Sequence, residues 1–200
     1  MLTRLKAKVQ SAIKTQAKTA DKLGLTPNTI SALGILFAFL SALAYASGRQ
    51  NLSFAVVMLL LSGYCDMLDG ALARLHQKTT PFGGYLDSLL DRYADSAVYA
   101  GIMVGGMCTI QGGLLALIGS LLVSYARARA EAAGVKMESI GLAERAERLI
   151  IIAAASIAEI FLKNALEAGI ILLAVLTNLT VAQRSLHAYK MLKKREKAET

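Results

Sequence analysis

The chain has 200 residues, of which 55% are hydrophobic and only 18% charged, with a mean hydropathy of +0.49. That balance suits a membrane protein better than a soluble one. The formal net charge is +8, but the basic residues flank long apolar runs, so an anionic membrane surface is the expected partner and nucleic acid is not.

Residues 1–22 are basic, with lysine every few positions and neither an apolar core nor a small-residue cleavage site, so they do not read as a secretory signal peptide. Leu2, Leu5, Val9, Ala12 and Ile13 recur at helical spacing, with Lys6, Lys14 and Lys18 among them. This predicts an amphipathic interfacial helix over 1–22, followed by a single membrane-embedded domain over 23–200.

Uncharged residues fill 30–47, preceded by Thr26-Pro27-Asn28 and followed by Gly48, which are helix start and stop signals. Further helices are predicted over 51–73, 83–107, 112–133, 143–162 and 166–186. The expected fold class is therefore an all-α integral membrane protein with six transmembrane helices plus the N-terminal amphipathic helix. Six crossings leave both termini on one side. Of the 22 Lys and Arg residues, 19 lie in the termini or on that side, against Arg49 and Lys163 opposite, with Arg92 inside a helix. The positive-inside rule then predicts a multi-pass cell-membrane protein with both termini and the 74–82 loop cytoplasmic. Cys65 and Cys108 both sit in apolar stretches and read as packing residues.

Several predicted spans are uncharged over about 15 residues and carry charge only toward the cytoplasmic end. Fifteen helical residues cover about 22 Å of a roughly 30 Å hydrocarbon core. The charged ends are thus expected to line a watery cavity rather than to face lipid. Placing them in the headgroup layer is the alternative, and the aspartates fit it worst. Asp66 and Asp69 are spaced i, i+3, and Asp87 and Asp91 are spaced i, i+4, so each pair shares a helix face. Antiparallel neighbours joined by a short loop bring both pairs to one end. Four carboxylates there require cations, and an all-oxygen set favours Mg²⁺ or Mn²⁺, with room for two ions bridging a diphosphate. Gly70, Ala73 and Gly83 leave space for a ligand or a neighbouring helix.

Asp66, Asp69, Gly70, Ala73, Arg74, Gly83, Asp87 and Asp91 match every fixed position of D-x-x-D-G-x-x-A-R-x8-G-x-x-x-D-x-x-x-D. The chain thereby resembles the CDP-alcohol phosphotransferases. The resemblance implies transfer of a phosphatidyl-type group from a CDP-lipid, CDP-diacylglycerol or CDP-archaeol, to an alcohol, with release of CMP. It implies metal ligation by Asp66, Asp69, Asp87 and Asp91, with Asp91 also the general base. It assigns the CDP-lipid to Asp69, Gly70, Ala73, Arg74 and Gly83, and to Asn28 and Thr29 at the start of the first span, with Thr80 a further candidate. It also suggests a homodimer.

The acceptor is read from the arginines. SYARARAE at 124–131, GLAERAER at 141–148 and VAQR at 181–184 resemble the inositol-phosphate branch of that family, the phosphatidylinositol-phosphate and archaetidylinositol-phosphate synthases. That implies inositol 1-phosphate as acceptor, held by Arg127, Arg145 or Arg148, and Arg184. Several arginines on one cavity suit a phosphorylated acceptor, so glycerol 3-phosphate is the main alternative. Surface ion pairing with nearby glutamates is the competing reading of each arginine. Asp95 extends the Asp87–Asp91 face and is expected to pair with Arg92 or to support the site. His76 and His187 lack metal-ligand spacing, and Ser88 has no adjacent base. A cation transporter is a remote alternative, since the outer halves of the spans are almost free of ionisable groups and no repeat is evident.

Overall fold

A computed structural model describes residues 13, 15–75, 80–137 and 140–199. Every regular element among them is helical. A short helix α1 (15–22) is followed by α2 (Pro27–Ala46), a 3₁₀ turn (Arg49–Asn51), α3 (Leu52–Leu75), α4 (Pro81–Val104), α5 (Ile110–Ala132), α6 (Arg145–Phe161) and α7 (Ala165–Glu199). Helices occupy all six stretches read as spans. The last continues past the predicted span, through the lysine-rich end. Most of the expected 1–22 helix, and His76, lie outside the described residues.

The helix starts follow local chemistry. Thr26 caps α2, its Oγ1 accepting from the Thr29 amide at 3.2 Å, with Pro27 in the first turn. Thr80 and Pro81 repeat that device at α4, the Gly83 amide donating to Thr80 Oγ1 at 3.0 Å. Threonine supplies the acceptor that the first-turn amides lack, and proline gives up an amide that had no partner. The second Thr-Pro pair moves the start of α4 two residues earlier than the sequence reading placed it.

Among the described residues four helices, α2, α3 with its preceding 3₁₀ turn, α5 and α7, are long and apolar enough to cross a bilayer. Their outward faces carry Leu36, Phe39, Phe54, Val57, Leu115, Ile118, Leu172 and Val175. Helix α4 carries Asp87, Asp91, Arg92 and Asp95, and α6 has only 17 residues with charge at both ends.

Packing runs α3 and α4 against α2, α6 against α3 and α7, and α5 against α4 and α7. The main core includes Tyr45, Leu52, Leu59, Tyr99, Ile102, Ile152 and Leu173. Between apolar helices in lipid, close approach and polar bridges do more than hydrophobic burial. Both are present. Tyr45 and Ser156 share a 2.7 Å hydrogen bond, Tyr99 and Ser120 one of 3.0 Å, and the Ser41 hydroxyl donates to the Ala55 carbonyl at 2.8 Å. Ala17 and Ala20 of α1, with Ile13, pack on Leu68, Ala71 and Leu72 of α3. The described part of the N-terminal segment thus lies against the end of α3 that bears the aspartates.

Candidate active site

Helices α3 and α4 both pack on α2, and the carboxylates carried by the C-terminal half of α3 and the first turns of α4 converge. Carboxylate oxygens of Asp66, Asp69 and Asp87 come within 4.8 Å of one another. Helical spacing puts Asp66 and Asp69 on one face of α3, and α4 presents Asp87 opposite. Asp69 is buried, Asp66 half-buried and Asp87 exposed, so the cluster opens to one side. Three converging hard oxygen donors fit Mg²⁺ or Mn²⁺, and the partial ligand set leaves positions for substrate oxygens.

One supporting residue lay beyond the sequence reading. The hydroxyl of Ser31, on α2, donates to Asp69 Oδ2 at 2.6 Å. Its signal was its place one turn after the Thr26-Pro27 start. No carboxylate spacing pointed to it, because the contact joins helices 38 positions apart.

Asp91 lies one turn deeper on α4 and is linked to the cluster through Arg145 at the start of α6. Arg145 Nη1 is 2.8 Å from Asp66 Oδ1 and 3.0 Å from Asp91 Oδ1. Its Nε is 3.3 Å from Asp95 Oδ1, and Arg148 Nη2 is 3.2 Å from Asp95 Oδ2. Of the two roles expected for Asp95, pairing with Arg92 is therefore not the one found. Arg92 turns to the Ser88 carbonyl at 2.6 Å and lies 3.6 Å from Asp91, while Asp95 takes both arginines of α6. The reason is the spacing: Arg145 and Arg148 are i, i+3 and face α4 together, whereas Arg92 points back along its own helix.

The other residues singled out from the sequence divide into two groups. Arg74 lies over Gly70, where an added Cβ would come 3.4 Å from its Nη1. Asn28 and Thr29 are exposed on the first turn of α2, and the Thr29 and Thr26 hydroxyls are 2.8 Å apart. Ala73 is half-buried on α3. Thr80 and Gly83 form the α4 cap, and a Cβ at Gly83 would stand 2.9 Å from Thr80 Oγ1.

Arg184 is 2% exposed. Its Nε donates to the Ile140 carbonyl at 2.8 Å and its Nη1 to the Val123 carbonyl at 2.7 Å. Nη2 lies 3.6 Å from Glu144. Thr180, one turn earlier, accepts from the Leu142 and Ala143 amides at 3.1 and 3.2 Å. Together they fasten the loop that launches α6. Arg127 is exposed and pairs with Glu131 at 2.9 Å, the i, i+4 contact weighed against a ligand role. Arg127 and Arg148 both lie close enough to Arg184 to interact with it electrostatically. The basic residues of α5, α6 and α7 therefore gather on the side of the aspartates where α6 begins.

Residues 24–182 match the CDP-alcohol phosphatidyltransferase family, and the chain belongs to it. It is a multi-pass membrane transferase of phospholipid biosynthesis. An archaetidylinositol phosphate synthase of Pyrococcus horikoshii is 42% identical over 96% of this chain and 98% of its own. The crystal structure of Mycobacterium tuberculosis phosphatidylinositol phosphate synthase with CDP-DAG bound superposes with a TM-score of 0.77, at 32% identity, covering 88% of this chain and 93% of that one. The same enzyme in complex with manganese and citrate gives a TM-score of 0.78 over 88% of each chain.

Proposed function

We propose that the protein transfers the lipid phosphate of CDP-diacylglycerol or CDP-archaeol to a hydroxyl of inositol 1-phosphate, releasing CMP. One observation carries the acceptor assignment. Arg145, neighbour of Arg148 on one face of α6, stands directly beside Asp66 and Asp91, and Arg148 pairs with Asp95 one turn beyond them. Guanidinium forks match phosphate oxygens, and a neutral acceptor such as serine has no use for them. The Pyrococcus relative, whose name specifies inositol phosphate, supports the same reading.

In this reading Asp66, Asp69, Asp87 and Asp91 hold the divalent ions. Bound ions neutralise the diphosphate and make CMP a better leaving group. Arg74 pairs with the CDP diphosphate across Gly70. Asn28, Thr29, Ala73 and the Thr80–Gly83 cap border the nucleotide. Asp91 takes the acceptor proton as the hydroxyl oxygen attacks the lipid-bearing phosphorus. One P–O bond forms, the P–O bond to CMP breaks, and the proton ends on Asp91. Arg145 must give up Asp91 for this to happen. Arg145, Arg148, Arg127 and Arg184 form the basic side on which the acceptor phosphate docks.

All six long helices cross the membrane in this account. The charges of α4 and α6 face the site instead of lipid. Both termini and the aspartates lie on the cytoplasmic side, where CMP and sugar phosphates are dissolved, and the protein works as a homodimer.

The test is CMP release by purified protein with Mg²⁺ or Mn²⁺, each CDP-lipid being paired with inositol 1-phosphate, glycerol 3-phosphate, serine or free inositol. Turnover is expected with inositol 1-phosphate. Turnover with glycerol 3-phosphate in its place moves the protein to another branch of the family.

A further inference from the structure

Asp95 stands outside the aspartate signature, one helical turn beyond Asp91, and its neighbours give it a distinct task. One oxygen accepts from Arg145 Nε at 3.3 Å and the other from Arg148 Nη2 at 3.2 Å. Arg148 is 5% exposed and also donates to the Ala143 carbonyl at 3.1 Å. Two guanidinium groups on adjacent turns repel. A carboxylate set between them cancels one charge and fixes both side chains. What remains is a pair with one net positive charge, anchored on α4, of which Arg145 reaches the aspartates. Arg145 shows the consequence: its Nε is held by Asp95 while its Nη1 reaches Asp66 and Asp91.

We propose that Asp95 is a positioning residue for the acceptor, holding Arg145 and Arg148 as a preformed clamp for its phosphate. The proposal rests on the acceptor reading of those two arginines. Rotamer-rich arginines bind anions more tightly when their conformations are already paid for in the free protein. Asp95 also confines Arg145. Without that anchor, the side chain is left to Asp66 and Asp91 and lies where the acceptor hydroxyl must approach.

The experiment compares Asp95→Asn and Asp95→Glu with wild type at saturating Mn²⁺, measuring kcat and KM separately for inositol 1-phosphate and CDP-lipid. Asp95→Asn keeps the shape and removes the charge. It should raise the acceptor KM about tenfold or more, with the CDP-lipid KM changed less than about twofold and kcat less than about threefold. Asp95→Glu, which keeps the charge at a longer reach, should fall between. A double-mutant cycle with Arg148→Gln should be non-additive, since the two side chains act as one unit. Equal changes in both KM values, or none in the acceptor KM, overturn the proposal. If Asp95→Asn fails to fold, Asp95→Glu and its cycle with Arg148→Gln decide on the same criteria. Arg145→Gln and Arg148→Gln alone separate the two claims. If neither raises the acceptor KM, the acceptor reading has failed. If they raise it and the Asp95 variants do not, only the positioning role has failed.

Discussion

The hydroxyl of Ser31 donates a 2.6 Å hydrogen bond to Asp69, tying α2 to the aspartate cluster of α3. Ser31 Oγ is also 3.1 Å from the Pro27 carbonyl, but a hydroxyl has one proton and the shorter, charge-assisted contact takes it. Asp69 is the buried member of the three converging carboxylates. An oxygen fixed in this way cannot rotate out of the ligand set.

Outer partners of metal ligands are worth roughly 10–100-fold in metal affinity. Ser31→Ala should therefore weaken Mn²⁺ binding by about tenfold, read by electron paramagnetic resonance titration of free Mn²⁺ against protein. The fold should be retained, since the α2 cap at Thr26 is untouched. Unchanged Mn²⁺ affinity would remove Ser31 from the site.

Arg145 occupies the carboxylates of Asp66 and Asp91 that the metal would use. Cation and guanidinium thus compete for the same oxygens. Arg145→Gln should tighten Mn²⁺ binding in the absence of substrates, and it should also raise the acceptor KM. The two effects run in opposite directions, so general damage to the site cannot mimic them. Weaker Mn²⁺ binding in this variant would contradict the competition.

Away from the chemistry, Glu159 is a structural keystone at the opposite end of α6. It is 7% exposed, pairs with Arg49 at 2.9 Å, and accepts from the Leu166 amide at 3.0 Å. Glu159→Ala strands the Leu166 amide, a cost of ~1–3 kcal/mol for an unsatisfied buried group. The melting temperature in detergent should fall by several degrees while both substrate KM values stay near wild type. A change in KM at an unchanged melting temperature would instead tie this end of the molecule to catalysis.

Close helix contact gives a second stability prediction. A Cβ at Gly101 would collide with the Ala42 backbone carbonyl, whereas one at Gly63 would meet Leu149 at an ordinary 3.5 Å. Gly101→Ala should disrupt α2–α4 packing and yield little monodisperse protein, and Gly63→Ala should be tolerated. Size-exclusion chromatography in detergent separates these outcomes.

The sequence carried the helices and the metal site because both are local signals. Apolar runs bounded by Thr-Pro and glycine marked α2, and the i, i+3 and i, i+4 aspartates marked two carboxylate faces that the fold brings together. Contacts between distant segments were hidden. Nothing at Ser31 announces Asp69. The choice of Asp95 by Arg145 and Arg148, in place of Arg92, depends on how α6 lies across α3 and α4. Arg184 has a structural task its motif did not announce: only the folded chain shows its guanidinium holding the carbonyls of Val123 and Ile140. The Thr80–Gly83 pair was read for its chemistry, while the fold also uses it as a helix cap.

The central claim is that the aspartate cluster performs metal-assisted phosphoryl-group transfer with Asp91 as the base. Asp91→Asn preserves size and removes the proton acceptor. CMP release by this variant, measured with CDP-lipid, inositol 1-phosphate and saturating Mn²⁺, should fall by about a hundredfold or more, while CDP-lipid binding stays close to wild type. Turnover within a fewfold of wild type would contradict the account.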